Sequence, residues 1–194
     1  MVGVDFILNV VTNEKKQIVA VVAGDLEAAW LEGVAVCERM SVVRVDEQAD
    51  VAICSAGGFP KDLDVYQSQK AMEAAEQVTR PGGTIVLVAD CREGYGGEAA
   101  FERWVREADS LDDILRRFES HFELGGHKAF AIARVLKEKE VVLVSPQPSD
   151  LAESLFMRPA ATLDEALAYV RRKHGDDFKA YVLPHATLVF PVVG

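Results

Sequence analysis

The chain has 194 residues, 49% hydrophobic and 27% charged, enough for one domain with a full core. A net charge of −10 and a pI near 4.9 oppose a nucleic-acid backbone, and no Lys/Arg stripe offsets this. No apolar run approaches the roughly 18–20 residues of a membrane span, so neither nucleic acid nor a membrane is expected as a partner.

Residues 6–11 and 17–23 are β-rich runs around Thr12-Asn13-Glu14-Lys15-Lys16, which predicts a hairpin with a polar loop. Asp25 is the expected N-cap of a helix whose apolar face is Leu26, Ala29, Trp30, Gly33 and Cys37. Short strands follow at 42–45 and 51–54. A helix is expected over 62–78, ended by Arg80-Pro81-Gly82-Gly83. The continuous apolar run 84–89 reads as a strand of a parallel sheet covered on both faces. It opens into a polar, glycine-rich loop over 90–97.

From Glu98 onward the chain is helix-rich. Phe101, Trp104, Val105 and Ala108 share one helical face, Ser110 caps a second helix, and Gly125-Gly126 precedes a third over 127–136. A strand at 140–145, a short helix at 150–156 and a helix at 162–172 come next, the last with Thr162 and Glu165 as a capping box. The apolar segments 181–183 and 188–193 are separated by Pro184, which confines them to short or edge pieces. This alternation predicts a single domain over 1–194, a three-layer α/β/α sandwich. Its sheet is mostly parallel (mixed) and Rossmann-like, with an N-terminal hairpin.

Cys37, Cys54 and Cys91 are odd in number and widely spaced, which argues against a disulfide framework. The N-terminus lacks the basic and apolar regions of a secretory leader, and a reducing, cytoplasmic setting is expected.

The candidate site is Ser55-Ala56-Gly57-Gly58-Phe59-Pro60-Lys61-Asp62 with Tyr66, Gln67 and Lys70. A strand there opens through a glycine turn onto a helix start, where backbone N–H groups and the positive end of the helix dipole attract anions. Tyr66, Gln67 and Lys70 lie three and four residues apart, on one helical face near that mouth. A phenol, an amide and an ammonium suit a small anionic molecule bearing a hydroxyl. Taken singly, the glycine pair reads as a tight turn and the three polar residues as a solvated face. No dinucleotide or P-loop fingerprint is present. Asp90, Arg92 and Glu93 read as a surface ion pair, and Cys91 as a packed thiol. His121, His127, His174 and His185 are scattered without metal-ligand spacing, so no metal site is expected from this chain. His127, at a helix start, is the best placed for the rim of the site. Substrate-holding groups are present without an evident proton-transfer pair.

Five blocks then carry a resemblance: Asp5 to Val11, Ala23-Gly24-Asp25, Ser55 to Asp62, Tyr66 to Ala71, and Cys91-Arg92-Glu93-Gly94-Tyr95-Gly96. Together they resemble the C-terminal half of the lactate racemase family, over essentially the whole chain. The resemblance implies a nickel-pincer nucleotide cofactor and a hydride passed from the α-carbon of a 2-hydroxy acid and returned on the opposite face. It also implies an N-terminal half, not included in this chain, that carries the cofactor-tethering lysine, the nickel ligand and the proton-shuttling histidines. By match to the motif, Lys70 is the catalytic candidate, supplying positive charge to the substrate carboxylate or a developing oxyanion. Gln67 and Tyr66 would contact substrate or cofactor, with Gly57, Gly58, Lys61, Arg92 and His127 completing the binding set. The partners implied are a small 2-hydroxy acid and the N-terminal domain of a parent protein, with self-association as a further expectation. The rival readings are a stand-alone anion- or nucleotide-binding module and an interaction domain.

Overall fold

The computed structural model describes residues 3–194. β1 (Ile7–Thr12) and β2 (Ile18–Gly24) form the expected antiparallel hairpin, with the register shifting between Val11 and Thr12. Asn13 Oδ1 closes its loop by accepting from Lys15 N and Gln17 N, both at 3.0 Å. α1 (Leu26–Ser41) starts at Asp25, whose carboxylate accepts from Glu27 N and Ala28 N. The helix rests on the hairpin through Ala29 and Gly33, where a β-carbon at 33 would just touch Val22. Leu26, Trp30 and Cys37, expected on the buried face, are exposed instead. A two-stranded hairpin is too narrow to cover a full helical stripe, so only the small residues reach it.

β3 (Val42–Val45) leads into the main sheet, which comprises β4 (Ala49–Ser55), β5 (Thr79–Val88), β6 (Glu140–Val144), β7 (Arg158–Ala160) and β8 (Ala180–Leu183). The spatial order is β7-β6-β5-β4-β8 and every pairing is parallel. The antiparallel hairpin stands apart as its own sheet. β7 was not legible in the sequence, because three residues around Pro159 are too short for an alternation signal. Residues 80–83, expected to be a helix stop only, form the irregular start of β5. Pro184 does keep β8 at the sheet edge.

One face of the sheet carries Ala52, Cys54, Ile85, Leu87, Val141 and Leu143, buried under helices. These are α2 (Val65–Val78), α3 (Ala99–Glu107), α4 (Leu111–Ser120), α5 (Gly126–Glu138) and α6 (Ser149–Ser154). The other face, Val51, Val86, Val142 and Val144, packs on Ala166 and Val170 of α7 (Leu163–His174). This gives the three layers, and it explains why the strands read as unbroken apolar runs. A single 3₁₀ turn (Ala186–Leu188) follows β8 and leads to β9 (Phe190–Val193), which pairs in parallel with β3 as a separate two-stranded sheet. Among the described residues no helix is long and apolar enough to cross a membrane.

Candidate functional site

β4 and β5 are parallel neighbours, so the two glycine-rich loops leave the same edge of the sheet. The loops are laced together. Cys91 N–H donates to Asp62 O and Glu93 N–H to Leu63 O, both at 2.8 Å. Val65 N–H and Tyr66 N–H then donate to Gly94 O and Tyr95 O at 3.0 Å. Gln67 N–H donates to the capping carboxylate of Asp64 at 2.7 Å, and Ser68 N–H to Asp64 O at 3.1 Å. α2 therefore begins at Val65, three residues later than the sequence suggests, because the chain before it is tied to the second loop. The same bonds consume the first-turn donors of α2. The anion cradle expected from backbone N–H groups at this helix start is thus filled by protein, and ligand recognition passes to side chains. Close approach of the loops needs Gly96 and Gly97, at φ +64 and +66. A β-carbon there would overlap the Asp64 carboxylate and the Tyr66 ring.

Lys70 is exposed, and its Nζ donates to Gln67 Oε1 at 2.6 Å. This bond steadies the ammonium and leaves its other N–H donors, and the Gln67 amide N–H₂, directed elsewhere. Lys61 from the first loop joins them around a shallow depression of about 290 Å³, closed by Thr187 and Leu188. Two ammonium groups and an amide around one small depression suit a carboxylate.

Tyr66 takes a different flank. Its ring meets Phe101 edge-on at 5.8 Å and His127 at 6.2 Å, with Lys128 Nζ 5.7 Å from its centroid. Lys128 in turn donates to the buried Gln69 at 2.8 Å. His127 Nδ1 accepts from Gly125 N at 3.2 Å, and its ring stacks on Phe122. The structure thus brings Lys61, Gln67 and Lys70 together, and Tyr66 with His127 beside them. Arg92 is not drawn into either group: it is paired with Asp90 at the start of the second loop.

Gly57 and Gly58 adopt φ +96 and +77. At Gly57 a β-carbon would lie 2.8 Å from His185 Nδ1, whereas Gly58 faces open space. Thr187 Oγ1 donates to Ala56 O at 3.2 Å, fixing the 3₁₀ turn to the first loop. Sequence reading misses this group: it leaves His185 among the scattered histidines, makes Leu188 the start of an apolar segment, and assigns nothing to Thr187. The available signal was positional. They follow the C-terminal end of a parallel strand, β8, next to β4, where site-lining loops gather.

Cys91 is fully buried, and its thiol is pushed up to about 12, chiefly by burial; the bond to Ser68 opposes this, and the charges of Asp64, Asp62 and Asp90 add to it by lesser amounts. It is a packed thiol and not a nucleophile. Among the described residues no three His, Cys, Asp or Glu side chains gather closely enough to hold a metal ion.

The sequence model of the lactate racemase C-terminal domain matches residues 45–190. The chain is 35% identical over 189 residues to a lactate racemase of Thermoanaerobacterium thermosaccharolyticum, covering 95% of this chain and 44% of that protein. It is 36% identical over 183 residues to the lactate racemase of Lactiplantibacillus plantarum, covering 92% of this chain and 43% of that protein. The Thermoanaerobacterium lactate racemase apoprotein superposes with a TM-score of 0.89 at 33% identity, over 96% of this chain and 46% of that one. A Thermotoga maritima protein with 15% identity shares the fold, with a TM-score of 0.66. The chain thus spans less than half the length of the curated relatives it matches. The family model covers most of the chain and the fold superposes on a solved lactate racemase, so this chain belongs to the lactate racemase C-terminal domain family.

Proposed function

We propose that this chain is the substrate-facing part of a longer racemase or epimerase that acts on a small 2-hydroxy acid. The observation that carries the reading is the Lys70–Gln67 bond at the rim of a depression shared with Lys61. In this reading the Lys70 ammonium binds the substrate carboxylate or the oxygen that gains negative charge during reaction. Gln67 orients that ammonium through Oε1 and offers its N–H₂ to the substrate hydroxyl. Lys61 adds a second positive charge, and Thr187 and Leu188 exclude water from one side. Tyr66, wedged between Phe101 and the second loop, forms the neighbouring wall with His127.

A nickel-pincer nucleotide fits this chain only along one side. The lysines and the amide suit an anionic edge, while no cluster among the described residues suits the metal. In this reading the group is bound mainly by the N-terminal domain of the parent protein, and when bound it supplies hydride acceptance and return. Lys70, Gln67 and Tyr66 would contact its exposed side, and the residues of this chain bind and orient the substrate against it. The stand-alone nucleotide-binding alternative would need backbone donors at the start of α2, and those are already engaged.

The test joins this chain to the portion of the Thermoanaerobacterium lactate racemase that it does not match, loads cofactor, and follows interconversion of D- and L-lactate and of longer 2-hydroxy acids. Lys70→Ala should lower turnover by roughly 100-fold or more, the scale of removing one preorganised charge donor. Unchanged turnover in that variant would end the proposal.

A further inference from the structure

The hairpin has two faces with opposite fates. Val11 and Val22 turn towards α1 and are 8% and 4% exposed. On the other face Leu8 lies opposite Ala23 and Val10 opposite Val21, with Phe6 and Val19 continuing the two rows. Phe6 and Leu8 are each 65% exposed, Val21 57%, Val19 50% and Val10 49%. Scattered apolar side chains on a surface need no explanation, but five on one face of a two-stranded sheet form a patch of the kind that marks an interface. A lone hairpin is also marginal in water unless something covers it. α1 covers one face of this hairpin, and among the described residues nothing covers the other.

β3 and β9 repeat the pattern. They form a two-stranded parallel sheet outside the main one, with Val43 and Phe190 exposed. The region matched by the C-terminal domain model runs from 45 to 190, so its limits fall on the last residue of β3 and the first of β9. The hairpin and α1 lie outside that region. They nevertheless belong to the shared fold, since the apoprotein superposes over 96% of this chain, within a chain more than twice as long.

We infer that the bare face of the hairpin, rowed by Leu8, Val10 and Val21, is a docking surface whose occupant is the portion of the parent racemase that the relatives possess and this chain lacks. The β3–β9 pair then marks where the chain passes between the catalytic sandwich and that portion. This rests on the reading that the chain works as part of a longer enzyme, but it concerns assembly and not chemistry.

Hydroxyl-radical footprinting tests it on two proteins. One is this chain alone, and the other is the fusion to the unmatched portion of the Thermoanaerobacterium lactate racemase. Exposed Leu163, on α7, serves as the internal reference. The expected result is a monomeric isolated chain with Phe6 and Leu8 readily oxidised, and a fusion in which their oxidation falls to that of buried Val22. Equal oxidation in both proteins overturns the inference. So does a dimeric isolated chain in which Phe6 and Leu8 are protected, since the occupant is then a second copy. Should the fusion fail to fold, the double change Leu8→Lys with Val21→Lys in the isolated chain decides. A face that touches nothing in this chain tolerates it with a Tm shift below about 3 °C. A larger fall shows the face already packed and removes the proposal. Racemase activity of the fusion is read separately, so covered residues without turnover would count against the proposed chemistry and leave the docking surface standing.

Discussion

The imidazole of His185 lies against the backbone of Gly57, so close that a β-carbon at position 57 would stand 2.8 Å from Nδ1. The contact ties the turn after β8 to the loop after β4, across 128 residues of sequence. Two penalties meet at this glycine. Its φ of +96 disfavours any side chain, and the imidazole occupies the space a methyl group would need. Gly57→Ala should therefore cost about 1–3 kcal/mol. In a His185→Ala background the steric share should vanish while the backbone share remains, giving a coupling of about 0.5 kcal/mol or more. Urea unfolding of the four proteins in the cycle measures this, and strictly additive effects would show that the imidazole swings aside freely.

Much of this molecule was legible because its strands are short, apolar and regularly interrupted. The strand at Val42–Val45, the N-cap at Asp25 and the Thr162 cap all stand where local chemistry put them. Helical spacing groups Tyr66, Gln67 and Lys70 on one face after the loop that holds Lys61; the structure keeps Lys61, Gln67 and Lys70 around one depression and turns Tyr66 towards His127. What was hidden depends on distance in sequence. Thr187 meets Ala56, and Lys128 meets Gln69, only through the sheet order and helix packing, which no local pattern encodes. At Arg92 the local reading, a surface ion pair, is the one the structure displays. Its nearest acid, Asp90, is two residues away and captures it. The bare hairpin face was invisible because alternation fixes which residues share a face, not whether anything covers it.

Asp64 is 8% exposed, accepts from Gln67 N, and sits beneath Gly96 of the second loop. Asp64→Ala should remove the cap at a cost of about 1–2 kcal/mol. Because the same residues carry the loop–loop bonds, hydrogen exchange at Val65, Tyr66 and Gln67 should quicken together. Faster exchange at Gln67 alone would mean the loops are held without the cap.

The three cysteines should separate cleanly by reactivity. Cys37 is exposed, whereas Cys54 and Cys91 are buried and their thiols are each pushed up to about 12, chiefly by burial. At neutral pH a thiol reagent such as an aromatic disulfide should titrate one group quickly in the native protein and the other two only on unfolding. Rapid reaction at Cys91 in the folded state would contradict the lacing of the second loop over it.

His174 closes α7 with its Nε2 2.9 Å from Thr84 Oγ1. Burial, and next the charge of Lys173, hold its pKa below the ordinary 6.5, with Asp50 opposing. The unfolded chain therefore binds a proton more readily than the folded one between the depressed value and about 6.5. Stability from this group is complete above about 6.5 and is lost as pH falls through the folded value. The carboxylate of Glu140 nearby behaves in a lower window. Burial raises it, but bonds from Tyr169 and Lys173 outweigh burial and leave it below 4.5. Its contribution is present above 4.5 and disappears only as pH drops further. Urea midpoints measured from pH 8 to pH 5 should thus fall mainly through His174. His174→Gln, which keeps a polar group facing Thr84 without the titration, should flatten that slope while leaving the acid limb below it. A slope unchanged by the substitution would assign the pH dependence to some other group.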